Sequence, residues 1–282
     1  MSETPRRLQR LLPEPWFAGD AMMAYVTDFE ASRSFVSPAR TELSRGKPAY
    51  RDSVGAFWHN ISRFLPGDII DDELEAKRFY VIVSGWVVEV ADVEGNRRQV
   101  LSFQLPGDLI RCNSDSGNRS FIALTKVEIG DAELLRGKGD FHWQQKISHA
   151  ESRIEEQLFN HLVRMGRLTA EERLLHLLLE LHDRLESAGL VKGAAYRLPV
   201  TQQMLGDALG LSLVHINRTL QELRRRNLLT LRRGMVTLHD RSRLSAMACY
   251  ESCRPERRSP SMETHAEPPR SANWGASNAM MA

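Results

Sequence analysis

Polar and basic side chains recur between Ser212 and Arg226, where they can hydrogen-bond to a partner that presents flat polar edges. In the same stretch Ile216, Leu220 and Leu223 step by four and then three residues, which is the spacing of one buried helix face. Arginine can donate two parallel hydrogen bonds to guanine, asparagine or glutamine can do so with adenine, and valine can contact the thymine methyl group. The spacing therefore predicts a DNA-reading helix whose outer face carries Val214, His215, Asn217, Arg218 and Gln221.

The residues before this stretch supply what a helix-turn-helix needs to hold such a helix. Thr201 is a good helix-capping residue, and the apolar residues that follow it give a short helix one buried side. Gly210 permits a sharp turn between two helices, and Ser212 caps the second helix. We therefore predict a recognition helix over 212–226, with its N-terminal half in the major groove of DNA.

Two short apolar runs, 228–231 and 235–238, follow this helix and flank Arg232, Arg233 and Gly234. This pattern is typical of a β-hairpin, here with a basic tip, and we interpret it as the wing of a winged helix. Its arginines are expected to lie beside the DNA phosphates, as is Arg225. The predicted DNA-binding residues are Thr201, Gln202, Ser212, Leu213, Val214, His215, Asn217, Arg218, Gln221, Arg225, Arg232 and Arg233.

The charge distribution favours the same interpretation. The chain has a net charge of +2, but residues 199–243 contain eight arginines and three acidic residues, a net of +5, which leaves −3 for the remainder. A basic module on a mildly acidic body is expected of a nucleic-acid-binding protein. Taken alone, this charge is equally compatible with a solvated positive surface.

Other function classes lack their sequence signals. No apolar run approaches the roughly 18 residues of a membrane span. The three cysteines, Cys112, Cys249 and Cys253, suit a reducing compartment rather than a disulfide framework. There is no glycine-rich nucleotide loop, no metal-spaced set of histidines and cysteines and no nucleophile motif. We therefore expect a cytoplasmic protein without enzymatic activity, a metal site or a membrane partner.

Short strands broken by turns are predicted from Arg63 to about Leu135. The run 79–83 is β-branched and aromatic and ends at Ser84-Gly85, a turn signal. The tetrapeptide Leu-Pro-Gly-Asp occurs twice, at 65–68 and 105–108. Proline fixes φ and glycine supplies the positive φ of a tight turn. The repeat therefore predicts the same corner in two layers of an antiparallel β-roll.

One long helix is predicted after the strands, because apolar residues step by three or four along one side of it. This stripe can pack on the chain's own body or against a second copy of itself, and the spacing alone leaves both open. A capping-box pattern at Thr169 and Glu172 begins the next helix, which ends at Gly189. The stripe consists of Ile147, Ala150, Ile154, Leu158, Leu162 and Met165.

The two ends of the chain carry weaker signals. Residues 1–60 are predicted as a helical arm, which aromatic side chains anchor to the body. The last residues are rich in proline, serine, alanine and asparagine and have no apolar periodicity, so a disordered tail is predicted. The anchoring aromatics are Trp16, Phe17, Phe57 and Trp58.

Most of the chain, from Arg63 to Leu244, resembles the Crp/Fnr family of transcription regulators. The stretches 205–212 (LGDALGLS) and 218–223 (RTLQEL) match the family's helix-turn-helix, while 80–86 (YVIVSGW) and 105–108 (LPGD) are similar to its β-roll. The resemblance implies an α+β fold with a cyclic-nucleotide-binding-like β-roll (a double-stranded β-helix), a long dimerisation helix and a C-terminal winged helix-turn-helix. It also implies a homodimer that binds palindromic double-stranded DNA, with RNA polymerase as a further candidate partner.

These expectations divide the chain into five parts. They are an N-terminal arm (1–60), a β-roll (61–138), a dimerisation helix (139–166), a winged helix-turn-helix (167–246) and a disordered tail (247–282). Within the recognition helix, the resemblance carries base contacts over to Val214, His215, Asn217 and Arg218. Val214 departs from the glutamate that many members have at this position, so a different target site is expected.

The family's cyclic-nucleotide cassette is only partly present. Arg111 and Cys112 stand where a Gly-Glu pair is expected, whereas Arg119 and Ser120 match the Arg-Ser pair that binds the phosphate. We therefore expect no response to cyclic nucleotides and interpret Arg119 as a surface or structural residue rather than a ligand contact. The alternative is that these four residues form a candidate pocket in the β-roll for a cyclic nucleotide or another small-molecule effector that switches DNA binding. Cys112 can serve as a redox sensor only if its thiolate is favoured, and no cofactor is required by the sequence.

Overall fold

The computed structural model describes residues 56–94, 97–112, 118–135 and 141–250. Within these residues the N-terminal half forms two antiparallel sheets, with strand orders β1-β7-β2-β5 and β4-β3-β6. Apolar side chains from both sheets share one core, which confirms the predicted β-roll. The strands are β1 (Ile61–Phe64), β2 (Phe79–Ser84), β3 (Val87–Val93), β4 (Arg97–Gln104), β5 (Leu109–Arg111), β6 (Arg119–Ala123) and β7 (Val127–Asp131).

The repeated Leu-Pro-Gly-Asp turns form equivalent corners, as predicted. Gly67 and Gly107 have φ of 97° and 91°, the positive values that the second central residue of such a turn requires. In each copy the aspartate carboxylate accepts a hydrogen bond from the leucine N–H three residues earlier, at 2.6 and 2.7 Å. Gly67 donates its N–H to β6 and Gly107 to β2, so the two turns close opposite layers of the roll.

The sheet that contains β3 is buried on both faces. Val87 and Ala123 point into the roll. Val88, Val90 and Val100 point the other way, into a second core that they share with leucines of the C-terminal helices. Apolar burial therefore runs without interruption from the β-roll into the C-terminal half.

A single long helix, α1 (Phe141–Arg167), follows the roll, close to the range predicted for it. Its apolar stripe faces outward: Ile154, Leu158 and Leu162 are all exposed. The side that packs on the body is polar instead, with Gln157 and Arg164 buried. A helix whose apolar side chains were buried within one chain would have its apolar side on the body and its polar side in solvent.

Helix α2 (Ala170–Ser187) begins with the predicted capping box, in which Thr169 and Glu172 each bond the other's backbone N–H. The middle of the helix is buried nearly all round, including the polar residues His176, Glu180 and His182, and it forms the centre of the C-terminal core. The predicted core-facing leucines are all buried, and they are Leu174, Leu175, Leu177, Leu178, Leu181 and Leu185.

The C-terminal part combines a small sheet of order β8-β10-β9 with three further helices. This arrangement confirms the predicted winged helix-turn-helix. The elements are β8 (Ala195–Arg197), α3 (Gln202–Leu209), α4 (Leu213–Arg225), β9 (Leu229–Arg232), β10 (Met235–Leu238) and α5 (Arg241–Met247).

The predicted start of the C-terminal tail needs one correction. Ala248 and Tyr250 are buried, and the Tyr250 hydroxyl donates to Asp183 at 3.1 Å. The tail predicted from residue 247 therefore cannot begin before residue 251, because packing against α2 holds these residues. The rest of the tail, with Cys253, and residues 1–55 of the arm, with Trp16 and Phe17, lie outside the described residues. Phe57, at the end of the arm, is buried as predicted.

Two helical glycines, Gly206 of α3 and Gly166 of α1, differ in the space around them, and this predicts opposite effects when each is changed to alanine. A Cβ on Gly206 would lie 2.6 Å from the Leu211 carbonyl oxygen, whereas a Cβ on Gly166 meets nothing within 4 Å. Gly206→Ala should lower the free energy of unfolding by about 1–3 kcal/mol, since the turn must shift. Gly166→Ala should raise it by up to about 1 kcal/mol through backbone entropy. Urea unfolding of both variants measures this, and equal effects would contradict the described turn.

Candidate nucleic-acid interface

Two capping hydrogen bonds and one left-handed residue set where α3 and α4 begin and how the chain turns between them. The Thr201 hydroxyl accepts from the Met204 N–H at 3.2 Å and caps α3. Gly210 ends α3 in the left-handed conformation, with φ 63°, where other residues are strained. The Ser212 hydroxyl then accepts from the His215 N–H at 3.3 Å and caps α4. The predicted range 212–226 is therefore α4 together with both of its caps.

The buried face of α4 is the predicted one. Ile216, Leu220 and Leu223 are fully buried against the other C-terminal helices. The opposite face is open to solvent: Val214 is 74% exposed, and the other outward-facing side chains are exposed except Asn217, which is half-buried. Ser212, Leu213, Val214, His215, Asn217, Arg218 and Gln221 thus line one side of the helix.

The polar groups on this face differ in how they are held. The Asn217 amide donates to the Leu213 carbonyl at 3.0 Å, and the His215 ring nitrogen Nδ1 lies 3.1 Å from the Ser212 hydroxyl. Arg218 is exposed and forms no ion pair or hydrogen bond with any residue that the structure describes. Its guanidinium group can therefore bind a partner without breaking an internal contact.

The arginines at the end of α4 are partly neutralised. Arg225 makes a two-pronged ion pair with Glu222, at 2.7 and 3.0 Å, and this hydrogen bonding lowers the pKa of Glu222. Arg226 pairs with Glu171 of α2 at 2.7 Å. A phosphate that binds Arg225 must compete with Glu222, so Arg225 presents less free charge than the sequence suggests.

The wing turns through two residues. Arg232 pairs with Met235 at the end of the β9–β10 ladder, and the residues between them, Arg233 and Gly234, both have positive φ, 48° and 73°. This is the type I′ hairpin geometry, which strongly prefers Asn-Gly or Gly-Gly. Arg233 is therefore held in a strained conformation and projects its charge at the wing tip, where Arg232 is also exposed.

At the N-terminus of α3, the predicted residues Thr201 and Gln202 are half-buried. Thr201 is already engaged in its cap. Together, the start of α3, the outer face of α4 and the wing tip are the structural elements predicted for DNA contact. All of the predicted DNA-binding residues lie on these elements.

Two of the four candidate effector residues, Arg119 and Arg111, are engaged in contacts within the roll. Arg119, on β6, pairs with Glu89 at 3.2 Å, and Arg111, on β5, lies 5.4 Å from the centre of the Phe79 ring. Ser120 is half-buried beside Arg119. These contacts support a structural role for Arg119.

Cys112 does not meet the condition for a redox sensor. It is buried, and burial together with the neighbouring Asp71 carboxylate raises the pKa of its thiol to about 12. The thiolate is therefore disfavoured at neutral pH, because desolvation penalises the charged form. We therefore do not propose a redox role for Cys112.

A cleft of about 510 Å³ lies elsewhere, between the β-roll and α1. Gln104, His149 and Gln157 supply polar groups, and Arg153 is paired there with Asp108. An anion in the cleft would therefore have to compete with the Asp108 carboxylate for Arg153. Sequence reasoning missed this cleft because its walls come from residues far apart in the chain.

One cluster in the described residues has the ligand types for a metal ion. The ligand atoms of His182, Asp183 and Glu186 lie within 4.8 Å of one another. However, Asp183 already accepts from Arg241 at 2.5 Å and from the Tyr250 hydroxyl. A cation would have to displace the arginine, so the cluster is better explained as the set of contacts that holds α5 to α2.

None of the described helices is long and apolar enough to cross a membrane.

Comparison with known proteins agrees with this geometry. Residues 172–247 match the Crp-like helix-turn-helix domain. The chain is 30% identical over 169 residues to the nitrogen fixation regulation protein FixK of Rhizobium meliloti, covering 60% of this chain and 74% of that protein. It is 28% identical over 194 residues to FixK of Bradyrhizobium diazoefficiens, covering 66% and 80%.

A solved structure, that of FixK2 from Bradyrhizobium japonicum, is 26% identical, with a TM-score of 0.58 over 68% of this chain and 98% of that chain. A CooA variant from Carboxydothermus hydrogenoformans has a TM-score of 0.55 at 14% identity and shares the fold. The winged helix, the β-roll and these relatives lead to one conclusion: the chain belongs to the Crp/Fnr family of DNA-binding transcriptional regulators.

Proposed function

We propose that the protein acts as a homodimer that reads a palindromic DNA site through α4 and does not respond to cyclic nucleotides. The observation that carries this proposal is the phase of α4. Its three apolar side chains are buried, so the side chains that can read bases all face solvent. A helix held in this way can enter the major groove without any rearrangement of the core.

The predicted DNA-binding residues divide into three roles. Arg218, with Val214, His215, Asn217 and Gln221, contacts base edges and gives specificity. Arg232 and Arg233 on the wing, Arg225, and Thr201 and Gln202 at the start of α3 contact the phosphates and set orientation. Leu213 packs at the groove edge, while Ser212 holds the start of the recognition helix and lies near the DNA.

The outward stripe of α1 supports the homodimer. Leu158, Phe159 and Leu162 are 52%, 64% and 69% exposed, and Ile154 continues the stripe. Apolar side chains exposed in a row are costly unless they are covered. A second copy of the same stripe would cover them by pairing helix on helix, and it would bring two recognition helices together for a two-fold symmetric site.

One contact and one sequence difference support the absence of a cyclic-nucleotide response. The guanidinium group of Arg119, which would have to bind the phosphate, is occupied by Glu89. Arg111 and Cys112 replace the pair that would bind the ribose. A different effector, bound in the cleft beside α1, is the alternative that the cleft's volume favours. RNA polymerase as a partner and the five-part division of the chain stay predictions.

The base-reading role of Arg218 is tested by Arg218→Lys on a duplex selected from a random pool. Lysine keeps the charge but loses the planar fork that donates two parallel hydrogen bonds. We expect discrimination at one base pair of each half-site to fall by about 1–3 kcal/mol, with an unchanged salt dependence of binding. Saturating cyclic AMP should not alter the wild-type affinity. Equal specificity of variant and wild type would mean that α4 does not read the site.

Arg233→Asn is the matched variant for phosphate contact. Asparagine suits the left-handed turn position, so the wing should become more stable. Affinity should fall uniformly across sequences, and the slope of log affinity against log salt should be smaller in magnitude by about 1. Fluorescence anisotropy over a salt series, together with thermal unfolding, separates the two effects. Weaker binding with lower stability would instead indicate a damaged wing.

Leu162→Glu tests the dimer. Because Leu162 is exposed in one chain, the change should leave the fold of each protomer intact but place two charges inside the proposed interface. Sedimentation equilibrium should show a monomer, with loss of palindrome binding. Arg167→Glu, exposed at the same end of α1 but outside the stripe, is the control and should remain dimeric. A dimeric Leu162→Glu protein would exclude this interface.

A further inference from the structure

The two Leu-Pro-Gly-Asp turns share a backbone shape, but their aspartates have different surroundings. Asp68 is half-buried, and the one described group that bonds its carboxylate is the N–H of its own turn. Asp108 is only 5% exposed. Besides its turn N–H, it accepts from Arg153 of α1 and from Arg184 of α2, the latter at 2.6 Å. Asp108 therefore ties one corner of the β-roll to two helices at once.

The contacts extend from Asp108 along α2. Arg184 also donates to the Phe103 carbonyl of β4 at 2.7 Å and lies 3.5 Å from Glu180. Glu180 in turn pairs with the buried Arg164 of α1. Five charged side chains thus connect the roll, the long helix and the first helix of the DNA-binding half, and they are Asp108, Arg153, Arg164, Glu180 and Arg184.

Four of these side chains are largely buried, namely Asp108, Arg164, Glu180 and Arg184, whereas Arg153 is half-exposed. The buried members make the arrangement sensitive to the position of α2. An apolar contact can slide with little loss, but a buried ion pair holds only while its geometry is good. Burial opposes the charge on Arg184, yet Asp108 and Glu180 outweigh it and raise the pKa of the arginine. A rotation of α2 away from the turn would leave buried charges unpaired, which is costly.

We propose that Asp108 is a positioning residue that fixes the winged helix-turn-helix against the roll and the long helix. This inference rests on the proposed function, since it concerns the dimer on its palindromic site. With Asp108 in place, the two recognition helices keep a fixed separation and twist. The protein should then accept only one spacing between half-sites.

One inserted base pair makes this measurable. It moves one half-site by about 3.4 Å and turns it by about 34°. For a dimer with fixed helices, the insertion should weaken binding at least about tenfold, the scale of a lost base contact. We call the contacts of Asp108 with Arg153 and Arg184 the clamp. If the clamp is broken, each DNA-binding unit can follow its own half-site, and the loss of affinity caused by the insertion should fall to about threefold or less.

The test compares Asp108→Asn with Asp68→Asn. Asparagine keeps an acceptor for the turn N–H in both cases, but it removes the charge that Arg153 and Arg184 need. Each full-length variant is titrated with three duplexes: the selected palindrome, the same site with one added base pair, and a single half-site. Half-site affinity, together with thermal unfolding, reports whether the winged helix is folded.

Arg184→Gln is the second variant, because it breaks the clamp while Asp108 keeps Arg153 and Glu180 keeps Arg164. The proposal expects a reduced insertion penalty in Asp108→Asn and Arg184→Gln, with unchanged half-site affinity, and wild-type behaviour in Asp68→Asn. An unchanged penalty in Arg184→Gln, or an equal change in Asp68→Asn, overturns it. If the wild-type protein binds the palindrome no more tightly than a half-site, the proposed dimeric function is rejected. If the wild-type protein prefers one spacing and the variants keep the same preference, only the positioning role of Asp108 is rejected.

Discussion

The burial of Ile216, Leu220 and Leu223 is the constraint on which the DNA-binding surface depends. Each such side chain contributes about 1.5–3 kcal/mol when removed from water, so a rotation of α4 about its axis would be strongly opposed. The cap at Ser212 and the left-handed Gly210 set where the helix begins and how it leaves α3. Apolar packing thus decides which polar side chains face outward, although none of the packed residues needs to contact DNA.

The same physical rule, applied to α1, gives the opposite arrangement and a second conclusion. There the apolar stripe is exposed, and the side that faces the body is polar. The apolar side chains of such a helix are not buried by the rest of the same chain. Its polar side holds buried charges that connect the sensor-like roll to the DNA-binding half, and its apolar side is free to pair with a second copy. One helix can therefore carry both the symmetry of the proposed dimer and the coupling between the roll and the DNA-binding half.

The local features could be predicted from sequence because neighbouring residues determine them. The caps at Thr169, Thr201 and Ser212, the turn at Gly210, the buried face of α4 and the paired Leu-Pro-Gly-Asp corners all follow from spacing and turn chemistry. Long-range pairings could not be predicted in this way. Nothing near Asp108 in sequence distinguishes it from Asp68, because its partners Arg153 and Arg184 lie far along the chain.

Burial of single residues was equally hard to predict. The sequence left open whether the Cys112 thiolate is favoured, because that depends on burial: the fold places the thiol in the roll's core near the Asp71 carboxylate. Arg119 matched a phosphate-binding pattern, but it faces Glu89 across the sheet. The spacing of the apolar stripe on α1 also did not show whether the stripe faces the body or a second copy of the chain. Self-pairing and internal packing were therefore equally open.

Photo-crosslinking from α4 tests the central claim most directly. A benzoylphenylalanine at position 214, whose native valine is 74% exposed, should crosslink to bases of both half-sites at symmetric positions. The same probe at position 186, on the exposed side of α2, should not crosslink to bases. If the bound protein gives base crosslinks from position 186 and none from position 214, the DNA lies on another surface, and α4 is not the reading helix.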